Sequence, residues 1–186
     1  WLIEKQCAVG LNLTDFSDSI CESEHSFDGN NVVYNGRRVT PDFLRTVSIS
    51  AEISRWVVGR ELKPNHMVKA PISVIELGGG LGHLARTMRL LGISRSHVIV
   101  DLPETLAFAM SFLQLNYPEA RFLLVSDPEM ANGVDLTDFD FVFVPVVFSE
   151  ALIGTSFDLF LNTASLGEMR NETIRYWMDL VQKRLR

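Results

Sequence analysis

Cysteine is nearly absent: Cys7 and Cys21 are the only two in 186 residues. No C-x-x-C pair or Cys/His cluster accompanies them, so a structural zinc site lacks its ligands and metal-independent chemistry is expected. With no secretion signal in view, two free thiols in a reducing cytoplasm are expected, a single disulfide between them being the alternative. Long apolar runs are missing too. The longest strongly apolar stretch is Phe141 to Phe148, far short of the roughly 20 residues that cross a bilayer as a helix. Cations are outnumbered, Lys+Arg at 17 against Asp+Glu at 23 for a net charge of -6. That balance argues against a nucleic-acid backbone as partner, since phosphate binding needs clustered cations, and more weakly against an anionic membrane surface. There is no internal repeat and no low-complexity segment.

What remains is ordinary globular material, 47% hydrophobic and 22% charged, enough for one domain with a real core. The chain starts at Trp1 without a methionine and stops at Arg186 inside a predicted helix, so a fragment is expected. Its first thirty residues are polar and irregular, with Asp15, Asp18, Glu22, Glu24 and Asp28 spread among serines. Next, Asn35-Gly36 between Val32-Val33-Tyr34 and Arg37-Arg38-Val39 predicts a hairpin, because both turn residues must accept positive φ. Thr40-Pro41-Asp42 reads as a helix start, with hydroxyl N-cap, proline at the first helical position and an acid in the first turn. An apolar stripe follows from Phe43 to Val58, and Pro64 sets the latest end.

From Pro71 the pattern changes to apolar strands alternating with helices. Strands are predicted over Ile72–Leu77, His97–Leu102 and Phe157–Leu161. Phe122–Val125 and Phe141–Phe148 both qualify for the strand between, and Pro145 suggests an edge position for the second. Helices are expected from Leu84 to Gly92, from Pro103 to about Asn116, and from Ser165 to Arg186. This alternation predicts an α/β fold: a Rossmann-like, doubly wound, mostly parallel sheet covered on both faces. The division is residues 1–70, a polar segment, hairpin and helix serving as lid or substrate wall, and residues 71–186, the ligand-binding domain.

The chemistry concentrates at Glu76-Leu77-Gly78-Gly79-Gly80-Leu81-Gly82, where a strand ends in a glycine-rich turn that opens a helix. Glycines let a ligand lie against bare backbone, and a helix N-terminus offers unpaired N–H groups. Two cofactors compete. Gly80-Leu81-Gly82-His83-Leu84-Ala85 satisfies the G-x-G-x-x-A dinucleotide fingerprint, with Asp101 at the distance of a ribose contact. Glu76 tips the balance toward S-adenosylmethionine, because a carboxylate at the tip of an apolar strand suits an ammonium and repels a pyrophosphate. The alternative for Glu76 is that it reaches solvent at the strand's end. Asp101 either accepts both ribose hydroxyls or caps the helix at Pro103.

Glu76-x-Gly78-x-Gly80-x-Gly82 resembles the first motif of class I methyltransferases, and Asp101-Leu102-Pro103 the second motif of small-molecule O-methyltransferases. Val100-Asp101-Leu102-Pro103-Glu104 and Phe157-Asp158-Leu159-Phe160-Leu161-Asn162-Thr163-x-Ser165-x-x-Glu168-Met169 are similar to the bacterial sugar O-methyltransferases, as is Gly36 to Arg45. The resemblance runs from about Glu22 to the end. It implies a seven-stranded sheet in the order 3-2-1-4-5-7-6, of which this chain carries strands one to four. It also implies S-adenosylmethionine as cofactor, held by Glu76, Gly78, Gly79, Gly80, Gly82, Asp101, Leu102 and Asn162, and a sugar or glycan hydroxyl as methyl acceptor. On that reading the protein is a cytoplasmic transferase with a small-molecule or glycan substrate, no nucleic acid and no membrane insertion; an oligomer is compatible with it.

Transfer to a sugar hydroxyl calls for a general base. The phenolic O-methyltransferases use a histidine just after the fourth strand, and this chain has none beyond His97. Glu168 is the nearest substitute, although Ser165-Leu166-Gly167-Glu168 also fits a capping box. His83, at the start of the helix after the glycine turn, is the second candidate base, its pKa lowered by the helix N-terminus; the plain alternative is a surface histidine without a role. Asn162 either contacts cofactor or substrate or is a loop-forming amide. A nicotinamide-dependent oxidoreductase is the rival enzyme, against which the absence of a Tyr-x-x-x-Lys pair counts for its short-chain form. A non-catalytic cofactor-binding module is the third reading.

Overall fold

The computed structural model describes residues 20–26, 32–57 and 70–185. It divides into two compact units, one formed by residues 1–71 with 83–93, the other by 72–82 with 94–186.

In the first unit the expected hairpin forms. Strands β1 (Val32–Tyr34) and β2 (Arg37–Val39) pair antiparallel around Asn35 and Gly36, whose φ values of 49° and 77° are those of a primed turn. Helix α1 (Pro41–Trp56) begins as its first residues require: the Thr40 hydroxyl accepts from the Phe43 N–H at 3.0 Å, and proline stands where no N–H is needed. It ends at Trp56, before Val58; Val58 and Pro64 lie outside the described residues. Helix α2 (His83–Leu90) packs on α1, where the hydroxyls of Thr46 and Thr87 bond at 2.8 Å. Ile20, Val39, Phe43, Leu44, Val47 and Ala51 make the core of this unit.

Of the polar N-terminal stretch, Asp15, Asp18, Asp28 and Cys7 lie outside the described residues, and Cys21 is a free thiol. Glu22 behaves unlike a solvated acid. Its side chain is fully buried, 3.6 Å from the Arg86 guanidinium, and it takes hydrogen bonds from the Ser23 N–H and the Thr40 hydroxyl. Arg86 also donates to the Cys21 carbonyl at 2.9 Å.

The second unit is an α/β sheet of the Rossmann-like kind. Five strands, β3 (Ile72–Leu77), β4 (Ser94–Asp101), β5 (Phe122–Leu124), β6 (Phe141–Pro145) and β7 (Leu159–Leu161), are all parallel in the order β5-β6-β4-β3-β7. Helices α3 (Pro103–Asn116) and α4 (Asn171–Gln182) belong to the same unit. Taking β3, β4, β6 and β7 as strands one to four, their lateral order is 3-2-1-4, with β5 added outside. Val98, Val100, Val142 and Val144 are fully buried and, with Ile75, Leu77, Phe157 and Trp177, form one core. Each such side chain contributes about 1.5–3 kcal/mol by leaving water.

Several boundaries differ from expectation. Both candidates for the middle strand are strands, paired with each other. The one carrying Pro145 is interior: proline closes β6 as its last residue, where the ladder stops and a 3-10 segment over Val146–Leu152 takes over. β4 starts at Ser94, three residues before His97. β7 begins at Leu159, while Phe157 forms a lone parallel bridge with Leu185. The helix expected from Ser165 is two pieces, a 3-10 turn over Ser165–Glu168 and then α4, because the backbone leaves helical geometry at Met169 and Arg170. No helix among the described residues is long and apolar enough to cross a membrane.

Candidate functional site

The chain runs outward from β3 through β4 to β6 and then returns to β7 on the other flank of β3. The crevice beyond the carboxyl ends of the strands at such a reversal is where open α/β sheets bind ligands. The glycine turn, Asp101 and Asn162 all follow those ends.

The four glycines of the turn are needed for different reasons. Gly78 has φ +75°, and a Cβ there would fall 2.2 Å from Ser165 Oγ, so its free side is already filled. A Cβ at Gly79 would meet Ile99 Cγ2 at 2.8 Å and Glu76 Oε2 at 3.1 Å. At Gly82, φ +80°, Leu113 is the neighbour, at 3.1 Å. Gly80 alone of the four combines positive φ, +55°, with open space on its free side. That is the position where a ligand could lie against backbone.

Asp101 stands beside it. Its Oδ2 accepts from the Gly80 N–H at 2.9 Å and its Oδ1 from the Leu102 N–H at 2.7 Å. The helix-cap alternative for Asp101 is not realised: Leu102 is the N-cap of α3 and no side chain caps it. Leu102 itself is 57% exposed, an apolar side chain held at the mouth of the site.

Glu76 does not reach solvent. It is buried, and the His97 Nε2 lies 2.9 Å from its Oε2. His97 is not among the residues the sequence singles out; its one signal there is that of a second polar residue in an adjacent apolar strand. Asn162 is a structural clamp as well as a candidate contact. Its amide donates to the Leu77 carbonyl at 2.8 Å and to Ser165 Oγ, and its oxygen accepts from the Leu166 N–H at 3.2 Å. Ser165 donates to the same Leu77 carbonyl at 3.0 Å. The capping box is therefore not made: Ala164 is the N-cap of the 3-10 turn and has no side-chain bond. The Ser165 hydroxyl is drawn off to β3, and the Glu168 carboxylate is exposed.

His83 belongs to the other unit. It is half-buried, and burial pushes its imidazole below the ordinary 6.5; Arg86 and Arg45 act in the same direction, against Glu22 and Asp42. The lowered direction matches expectation, but burial is its largest cause. Thus the structure brings together Glu76, the glycine turn, Asp101, Leu102 and Asn162, with Glu168 on the turn after β7. It adds His97 and Ser165. Among the described residues no group of three or more His, Cys, Asp or Glu is placed to hold a metal ion.

Comparison with protein-family models, with curated proteins and with solved structures finds no match to this chain. The functional reading therefore rests on the residues of the site.

Proposed function

We propose that this chain is the cofactor-binding part of an S-adenosylmethionine-dependent O-methyltransferase acting on a sugar or glycan hydroxyl. The observation that carries it is the Asp101 carboxylate on the N–H of Gly80, the one glycine of the turn with an open face. An acid at the tip of the second strand and a bare backbone at the tip of the first are what an adenosine ribose and its attached chain need side by side. The acid accepts hydroxyl hydrogens, and Leu102 offers an apolar face for the base. The residues present suit this group better than a dinucleotide, because Glu76 and Asp101 place two carboxyl groups about the turn. Those attract an ammonium or sulfonium and repel a pyrophosphate.

When bound, the cofactor would supply an electrophilic methyl group. The chain's own part is to align the acceptor oxygen and take its proton. Glu168 fits that second task, being exposed, without an ion-pair or hydrogen-bond partner among the described residues, and in the same unit as the turn. His83, the other candidate base, belongs to the first unit, its imidazole pKa lowered chiefly by burial. The sugar acceptor rests on the resemblance of the Asn162-Thr163-x-Ser165-x-x-Glu168-Met169 string.

Separate calorimetric titrations with S-adenosylhomocysteine and NAD, with Asp101→Ala as control, test the cofactor. Saturable binding of the first alone, weakened at least tenfold in Asp101→Ala for the loss of charge-assisted hydrogen bonds of about 1.5–3 kcal/mol, is expected. Binding of NAD alone would sink the proposal in favour of an oxidoreductase. Glu168→Gln should lower methyl transfer to a sugar acceptor by about 10²-fold or more while leaving cofactor affinity intact; an unchanged rate would exclude Glu168 as the base. Cofactor binding without turnover on any sugar would mark a non-catalytic module.

A further inference from the structure

Beneath the turn the Glu76 carboxyl group is paired with a buried histidine. His97 is fully buried in β4, and among the described residues Glu76 is the one hydrogen-bond partner of its ring: Nε2 lies 2.9 Å from Oε2, while Nδ1 meets none. The bond joins the carboxyl group to Nε2 of the ring and not to Nδ1. The strand register explains how the two meet. Val74 lies opposite His97 and Glu76 opposite Ile99, so Glu76 and His97 share one face of the sheet as diagonal neighbours.

As a stabilising device the pair is a poor choice. Both groups lose hydration, and apolar residues of similar volume would fill the space at less cost. What the carboxylate does have is a contact with the turn. A Cβ at Gly79 would lie 3.1 Å from Glu76 Oε2 and 3.3 Å from its Cδ, so the backbone at Gly79 rests directly on the carboxylate. The turn continues from there through the Gly79 carbonyl, which accepts from the Gly82 N–H at 3.0 Å, and through Gly80, whose N–H is held by Asp101 at 2.9 Å.

We infer that His97 is a positioning residue of the ligand site: it locks the Glu76 carboxylate in one place, and that carboxylate is the floor on which the Gly79–Gly82 backbone is set. A Cβ at position 79 would meet Ile99 Cγ2 at 2.8 Å and the Glu76 carboxylate at 3.1 Å, so glycine is needed there and the carboxylate is one of the two groups beneath it. His97 touches no ligand and acts through Glu76. The inference rests on the cofactor reading above for its ligand, S-adenosylhomocysteine in the test, but its effect on the turn stands apart from any ligand.

The test compares the full chain with His97→Gln and His97→Asn. Glutamine keeps an N–H donor near the place of Nε2, whereas asparagine moves it to the place of Nδ1; both are polar and smaller than the ring. Two quantities are read: affinity for S-adenosylhomocysteine, and hydrogen exchange of the Gly80 and Gly82 amides in the ligand-free protein. His97→Gln should stay within about threefold of the native chain in both, and His97→Asn should bind about tenfold more weakly and exchange about tenfold faster, the worth of one buried hydrogen bond to a charged group. Equal behaviour of the two variants, or unchanged exchange at both glycines in His97→Asn, overturns the inference. If the native chain does not bind S-adenosylhomocysteine, the cofactor reading fails, and the exchange rates still decide the role of His97.

Discussion

Replacing Gly78 and Gly80 by alanine, one at a time, separates the glycine that shapes the turn from the one that faces a ligand. At both positions φ is positive, +75° and +55°, so each alanine carries a left-handed backbone penalty of about 1–2 kcal/mol. At Gly80 nothing lies within 4 Å of the new methyl, and the penalty ends there. At Gly78 the methyl would sit 2.2 Å from Ser165 Oγ and 2.5 Å from Ser165 Cβ. Rotating the hydroxyl does not clear the second clash, so the backbone near Ser165 must move. With it go the bonds from Ser165 to the Leu77 carbonyl at 3.0 Å and from Asn162 to Ser165. About 1 kcal/mol for each bond, added to the backbone term and to about 1–3 kcal/mol of overpacking, gives a loss of roughly 4–7 kcal/mol for Gly78→Ala. Against a typical total of about 5–15 kcal/mol this is a large fraction. Equilibrium urea unfolding reads it as a midpoint roughly 2 M lower, against at most about 1 M for Gly80→Ala. Adding Ser165→Gly to Gly78→Ala should recover the overpacking share of the loss, the two bonds of the Ser165 hydroxyl and the backbone term staying lost, an unusual result for a second truncation. Affinity for S-adenosylhomocysteine should follow the opposite order, with Gly80→Ala the more damaging among folded variants. Equal midpoints for the two alanines, or no recovery with Ser165→Gly, would refute the assignment of these glycines.

Two further expectations concern the first unit. Arg86→Met leaves the Glu22 side chain buried without its cation, 3.6 Å away in the native chain; the cost is about 3 kcal/mol, a fall in Tm of roughly 10 °C, and Glu22→Gln in the same background should recover part of it. A melting temperature unchanged by Arg86→Met would mean the pair is not buried as described. His83 should make stability pH-dependent. Its folded pKa lies below the ordinary 6.5, so as pH falls through that value the unfolded chain takes up a proton before the folded one and stability is lost. Above it both states are neutral and the effect vanishes. Urea midpoints across that range should decline more steeply for the native chain than for His83→Gln, and parallel declines would show that burial of the imidazole is not its source.

Short-range physics explains what could be read from the chain alone. Asn35-Gly36 demanded a primed turn, Thr40-Pro41 a capped helix start, and the apolar runs at Ile72 and at His97 to Asp101 parallel strands, since each signal is local to a few residues. The glycine turn and Asp101 could be placed at neighbouring strand tips by the same reasoning, because strand, turn, helix and strand follow one another without interruption. The sequence also located polar positions that matter, among them Glu76, Asn162 and Ser165. Their partners were decided only by the fold. Ser165 could cap a helix or bond to β3, and it took the Leu77 carbonyl because the return of the chain to β7 put that acceptor within reach. Glu76 could point to solvent or ligand, and the parallel register of β3 and β4 set it against His97, 21 residues on. Glu22 looked like one acid in a solvated segment until Arg86 met it across 64 residues. Backbone conformation is chosen by neighbours in sequence, whereas a polar side chain bonds to whatever donor or acceptor packing brings within about 3 Å, and that depends on the whole chain.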